Sequence, residues 1–138
     1  MAGSCVLSNT RNGINLRWLE YICTADASDG TIAPKVIPGF VDYFIYSAEA
    51  WPGATAPTDG SGYTITDEEG EDFLGGNGAT AIDDVNKTTI VPKSTKANAT
   101  FQHHVKGDLT LTITQAAVAT NSAIINIRIT CLKHPVYW

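Results

Sequence analysis

Apolar positions recur with a period of two along several runs of the chain, and that period predicts strands. In the first run Ile14, Leu16, Trp18, Glu20 and Ile22 alternate with Asn15, Arg17, Leu19, Tyr21 and Cys23. β-Branched and aromatic side chains at this spacing give a strand with two distinct faces. Asp29-Gly30 then marks a turn. Thr31 to Ile37 contains Pro34 and is followed by Pro38. Proline donates no ladder hydrogen bond, so this stretch is predicted as an edge strand or an extended loop. Gly39 to Ala48 is the most aromatic stretch, and it predicts a central strand packed on both faces. Residues 51–62 hold two prolines and three glycines, which predict a long loop.

Tyr63 to Asp67 reads as a strand, Glu68-Glu69-Gly70-Glu71 as a hairpin turn, and Asp72-Phe73-Leu74 as a short return. Residues 79–87 are ambiguous and admit one helical turn. Thr88 to Pro92 is another short strand, and 93–100 a polar loop. Near the C-terminus the pattern is clearest. Leu109, Leu111 and Ile113 share one face of a strand. In the last run Ile125, Ile127, Ile129 and Cys131 face one way, and Ile124, Asn126, Arg128 and Thr130 the other. These two strands are predicted to pair as a hairpin. Residues 1–12 show little periodicity and read as an extended N-terminal arm. The sum is an all-β chain: an arm over 1–12, then one antiparallel β-sandwich or barrel of about seven to nine short strands over 13–138.

Composition sharpens this picture. A length of 138 residues suits a single domain, and 43% hydrophobic residues supply a core. Charged residues make up only 17%, so the surface must be covered largely by small polar side chains; the chain has 17 Thr and 16 Ala. Such a surface suits close protein contact better than long-range attraction. The net charge of −5 argues against a nucleic-acid partner, which would call for a basic face. The N-terminal residues lack the basic start and apolar stretch of a secretory signal, and no run approaches the about 18–20 apolar residues that span a membrane. The expectation is a protein made in a cytosol and carried out of it only by an assembly.

Candidate chemistry is sparse. Cys5, Cys23 and Cys131 are odd in number and form no CxxC pair. Cys23 and Cys131 read as small buried hydrophobes, with one disulfide between distant strands left open. The histidines show no zinc-ligand spacing relative to these thiols, and His103-His104 on a strand would point to opposite faces. The acidic run Asp67 to Asp72 lacks the register of an EF-hand loop and reads as a solvated hairpin tip, the alternative being a weak cation site at a subunit contact. No GxSxG, HExxH or P-loop motif occurs. The expectation is a non-enzyme with no catalytic residue, no metal and no cofactor. Trp51 and Trp138 are the aromatic candidates for stacking on a sugar. The plainer reading is that each covers a core edge or fills a partner's pocket. Contact with a partner is expected at Val6 and Leu7 in the arm, at Trp51 and Pro52 in the loop, and at Val136, Tyr137 and Trp138 at the C-terminus, because these segments are irregular and offer apolar groups. The Tyr137-Trp138 pair is the best anchor, since aromatics dominate interface energetics.

Several segments carry a resemblance. They are Thr24-Ala25-Asp26-Ala27-Ser28-Asp29-Gly30, Ala54-Thr55-Ala56-Pro57-Thr58-Asp59, Tyr63-Thr64-Ile65-Thr66-Asp67-Glu68-Glu69-Gly70, Asp72-Phe73-Leu74-Gly75-Gly76-Asn77-Gly78-Ala79 and Gly107-Asp108-Leu109-Thr110-Leu111-Thr112-Ile113. In this order the chain resembles small virion structural proteins of tailed bacteriophages, over roughly residues 20–130. The resemblance implies a virion component assembled in the host cytoplasm, with no catalytic residue to carry over. A small, weakly charged domain with extended termini is similar to capsid decoration, or cement, proteins. Those bind between major capsid subunits, often as trimers, and stabilise the head. The expected partners are therefore the major capsid protein and further copies of this chain, with neither nucleic acid nor membrane. The alternatives are a tail, neck or baseplate component, or a virion module that binds a host surface glycan.

Overall fold

A computed structural model describes the chain except residues 1, 39, 95–98, 101–103, 116–118 and 134–138, and except the side chains at 93, 94, 99 and 100. The described residues are all-β, with every paired strand antiparallel and no helix. A five-stranded sheet is built from β1 (Ser4–Asn12), β2 (Leu16–Thr24), β4 (Phe44–Pro52), β6 (Thr88–Ile90) and β10 (Ile124–Leu132), in the spatial order β1-β2-β10-β4-β6. A three-stranded sheet holds β3 (Lys35–Ile37), β9 (Leu109–Thr114) and β5 (Gly62–Thr66), in the order β3-β9-β5. A two-residue ribbon pairs β7 (Lys93–Ser94) with β8 (Ala99–Thr100). The inner faces of the two larger sheets meet in one apolar cluster, which makes the architecture sandwich-like.

The alternating runs explain the core. On β10, Ile125, Ile127, Ile129 and Cys131 are fully buried. On β9, Leu109, Leu111 and Ile113 are buried opposite them, beside Tyr63 and Ile65 of β5. Each buried Ile or Leu contributes about 1.5–3 kcal/mol, so these two strands carry much of the sandwich's stability. Burial also pushes the Cys131 thiol well above its ordinary range, and Arg17 only partly offsets this. The thiol is therefore protonated and inert.

Several expectations change, including the polar loop expected over 93–100, which holds the paired β7 and β8. β9 and β10 do not form a hairpin. Both edges of β10 are taken by β2 and β4, both edges of β9 by β3 and β5, and the connection crosses from one layer to the other. Gln115 holds that crossing: its Nε2 donates to the carbonyls of Gly30 and Thr120 at 2.6 and 3.0 Å, and its Oε1 accepts from the Thr120 N–H at 3.0 Å. The aromatic strand starts at Phe44 rather than Gly39, because Asp42 adopts a left-handed φ of 71° in a turn. Trp51 and Pro52 then belong to β4 rather than to the loop. Pro52 is tolerated there because β6 stops opposite Ala48–Ala50, so nothing requires an N–H on that side. Residues 79–87 form turns and an isolated bridge from Ile82 to Ser61, not a helical turn. Finally, Ser4–Asn12 is not a detached arm. It is a nine-residue strand in register with β2. Its polar residues hid this, because an outer strand has little core to face and so little apolar period to display.

The glycine-rich segment after β5 is architecture. Gly62 and Gly78 bring two backbones together, and the Tyr63 N–H donates to the Gly78 carbonyl at 2.9 Å. A Cβ on Gly78 would lie 2.1 Å from the Tyr63 carbonyl oxygen, and one on Gly62 would lie 2.1 Å from that of Ala79. Between them Asp72 accepts three backbone N–H bonds, from Ile65 at 3.2 Å, Leu74 at 3.1 Å and Gly76 at 3.0 Å. The Asp, Leu and Gly residues of this block thus fold a loop against a strand edge. Beside it, the Tyr63 hydroxyl is buried without a hydrogen-bond partner among the described residues. Burial, with Asp72 and Glu49 nearby, pushes its pKa up, so it stays neutral. Chemical denaturation should separate these two features. Gly78→Ala should destabilise by more than about 2 kcal/mol, in the range of backbone clashes in a packed site. Tyr63→Phe should be neutral or stabilising by up to about 1 kcal/mol, because it removes an unsatisfied polar group.

Candidate interaction site

The N-terminal strand and the outer face of the five-stranded sheet concentrate the exposed apolar side chains of this layer. Strand β1 lies at the sheet edge, and all its residues but Cys5 are exposed. Val6 is 61% and Leu7 48% exposed, on opposite faces of the strand. Leu7 faces inward opposite the buried Tyr21, yet remains open because the core ends at Cys5. Val6 faces outward and starts a row that crosses the sheet in register: Val6 opposite Ile22, Ile22 opposite Asn126, Asn126 opposite Trp51. Among the expected contact residues, Val6 and Trp51 thus share one face and one row. Leu7 lies on the other face of β1, and Pro52 follows Trp51 at the end of β4. Val136, Tyr137 and Trp138 lie outside the described residues.

A covalent bond fixes β1 to the sheet. Cys5 and Cys23 occupy directly opposed positions of β1 and β2, with Cα atoms 3.9 Å apart, and form a disulfide. Cys23 is therefore bonded to its neighbour in the adjacent strand, not free, and Cys131 is the free thiol. Spacing alone did not reveal the pair, because residues 1–12 gave no strand and hence no register.

Next to the apolar row runs a ladder of ions and indoles. Arg128 on β10 donates to Glu20 Oε1 of β2 from Nε at 3.0 Å and from Nη2 at 2.6 Å. It also approaches Glu49 of β4 at 3.8 Å, while Lys87 reaches the other oxygen of Glu49 at 3.5 Å. The Arg128 guanidinium lies 4.8 Å from the Trp18 ring centroid and 5.5 Å from that of Trp51, and the Lys87 ammonium 4.3 Å from that of Trp51. Cations over ring faces engage the π surface that a sugar would stack on. Trp51 is thus built into the sheet rather than presented as a bare platform. The charges alternate Glu20, Arg128, Glu49, Lys87, so the strip is locally neutral.

The remaining polar groups serve loops. Asp26 accepts from the backbone N–H groups of Ser28 and Asp29 and from the Ser28 hydroxyl. Those bonds, the Ser28 hydroxyl's foremost, hold its carboxyl down at about 2. Asp67 accepts from the N–H groups of Glu69 and Glu71, both at 2.9 Å, and makes the acidic run a closed turn. Asp59, Asp83 and Asp84 approach one another within 4.8 Å. Asp83 already accepts from the Asn86 amide and, to a lesser degree, the Val85 N–H, and these bonds lower its pKa. His104 pairs with Asp42 at 3.4 Å and leans on the Phe44 ring at 5.1 Å, at an exposed position. His103 and His134 lie outside the described residues.

No family model, no curated protein and no solved structure matches the chain.

Two expected outcomes follow from this site. Reduction of the Cys5–Cys23 bond, or its replacement with Cys5→Ser and Cys23→Ser together, should cost about 2–4 kcal/mol in denaturant titrations. It should also loosen β1 before the rest of the sheet. The Asp26 carboxyl has a folded-state pKa below its ordinary value of 3.8. Its contribution is therefore complete above about pH 4 and lost as the pH falls through about 2. Asp26→Asn should flatten the acid limb of stability between those values, read from thermal melts in a pH series.

Proposed function

We propose that this chain is a structural protein of a tailed-bacteriophage particle, working as a decoration protein that binds between major capsid subunits and stabilises the head. Its chemistry is contact. The observation that carries the reading is the open, disulfide-anchored edge of β1, with Val6 and Leu7 exposed on its two faces and the Val6–Ile22–Trp51 row beside it. An exposed sheet edge is a template for another chain's backbone, and a rigid edge binds with less ordering cost. The carboxylates of Asp26, Asp67 and Asp72 fold turns, which fits a scaffold. The sequence resemblance supplies the particle; the weakly charged, threonine-rich surface suits close packing in a shell. The cationic cover over Trp51 weighs against the glycan-binding alternative.

Copy number and position in intact particles, from cryo-electron microscopy and quantitative mass spectrometry, separate a head protein from a tail or neck part. Hundreds of copies on the shell are expected. Twelve or fewer at the neck or baseplate would replace the head assignment with the tail alternative. Shells stripped of the protein should lose heat resistance, and unchanged resistance would contradict the stabilising role.

A further inference from the structure

The free edge of β1 is limited on both sides, and its limits are informative. Towards the N-terminus, Gly3 already uses its outward groups: its N–H donates to the Thr31 carbonyl at 2.9 Å, and its carbonyl accepts from the Ala33 N–H at 2.8 Å. Towards the C-terminus the β1–β2 register slips between Leu7 and Asn9, a bulge at Ser8. The open run is therefore Ser4-Cys5-Val6-Leu7, closed by the bulge residue Ser8: five residues centred on Val6. Outward direction alternates along a strand, so Cys5 and Leu7 share the orientation of Gly3. The short Cys5–Cys23 Cα separation of 3.9 Å agrees, because close pairs are the ones that do not exchange hydrogen bonds. The N–H and C=O groups of Cys5 and Leu7 thus point away from β2, and no described backbone segment bonds them.

We propose that this run pairs with the same run of a second copy, antiparallel about a two-fold axis at Val6. The proposal deepens the docking role argued for β1 and rests on it. In that register Cys5 of one copy lies opposite Leu7 of the other, and the two exchange both of their backbone bonds. Leu7 and Cys5 repeat this across the axis. Val6 meets its own counterpart as a close, non-hydrogen-bonded pair on the outer face, covering a side chain that is 61% exposed in the single chain. Ser4 meets Ser8.

The occupant is argued from symmetry and charge. A run whose outward-pointing residues flank its centre equally accepts its own copy without a register slip. None of its five residues is charged or proline, the features that usually blunt an edge. The only charge of β1, Arg11, lies beyond the bulge. In the antiparallel pair the Ser8 bulge of one copy lies opposite Ser4 of the other, next to the edge that residues 31–33 occupy at Gly3, so the partner strand bends aside there. The product is a continuous ten-stranded sheet across two copies. It is a pair rather than the trimer that decoration proteins often form, so any higher assembly would use other surfaces.

Analytical ultracentrifugation of the full chain, with the disulfide intact, tests the pairing. The expected result is a concentration-dependent species of twice the 14.7 kDa chain mass. Val6→Asp, which sets two like charges on the axis, should weaken the dimer at least tenfold. Leu7→Pro removes one outward N–H while leaving the β1–β2 ladder its donors, and it should do the same. Thr89→Asp on β6, at the opposite edge of the sheet, should leave the dimer unchanged. Circular dichroism and unfolding midpoints show that each variant is folded, and a variant that is not is replaced by Val6→Lys. A wild-type chain that stays monomeric over the accessible concentration range overturns the pairing, whether or not it binds shells. A dimer that survives both Val6→Asp and Leu7→Pro, or that Thr89→Asp dissociates, overturns it as well. Absence of the protein from particles would instead overturn the virion role and leave a confirmed dimer standing.

Discussion

A sheet that does not close must end in two edges, and this constraint organises the molecule. In the five-stranded layer β10 sits in the middle, with its four inward side chains in the core and both backbone edges hydrogen-bonded. The layer then finishes at β6 on one side and β1 on the other. Strand β6 is three residues long, the short edge that proteins commonly use to limit mispairing. Strand β1 is nine residues long, nearly uncharged, and anchored by a disulfide to its neighbour. A long open edge held rigid suits recognition by another strand.

The rest of the surface is consistent with that division of labour. Alternating Glu20, Arg128, Glu49 and Lys87 neutralise one another on the outer face, and the two tryptophans lie under the cations. Such a face has little long-range field, so it neither attracts nor repels a neighbour strongly, and association falls to short-range fit. The carboxylates of Asp26, Asp67 and Asp72 accept from backbone N–H groups, which stiffens the turns they sit in. The free Cys131 is shielded inside the core, so the reactive sulfur chemistry of the chain is confined to the Cys5–Cys23 bond.

Strands with one buried face were legible from sequence, and the others were not. The inward row Ile125, Ile127, Ile129 and Cys131 and the row Leu109, Leu111 and Ile113 lie where the alternation placed them. Alternation names the buried face of a strand but not its lateral neighbour, so the two rows read as partners in a hairpin when they face each other across the core. Strand β1 lacks an apolar period because only Cys5 reaches the core, and its identity comes from the register with β2. At the site, Val6 and Leu7 stand out in the sequence as apolar residues in a polar stretch. Ile22 was hidden inside an alternating strand, and the disulfide could be read only once Cys5 and Cys23 were known to be opposite. Trp51 was expected in a loop, and its placement on the sheet depends on a turn at Asp42 that moves the start of β4.

The central claim is that the outward backbone of β1 is covered when the protein does its work. Amide hydrogen exchange at Cys5 and Leu7, compared between the dilute chain and the chain at concentrations where copies associate, measures this directly. Fast exchange is expected at both amides in the dilute chain and strong protection in the associated state, with the Val6 amide slow in both because it bonds to β2. Equally fast exchange at Cys5 and Leu7 in both samples would contradict the claim.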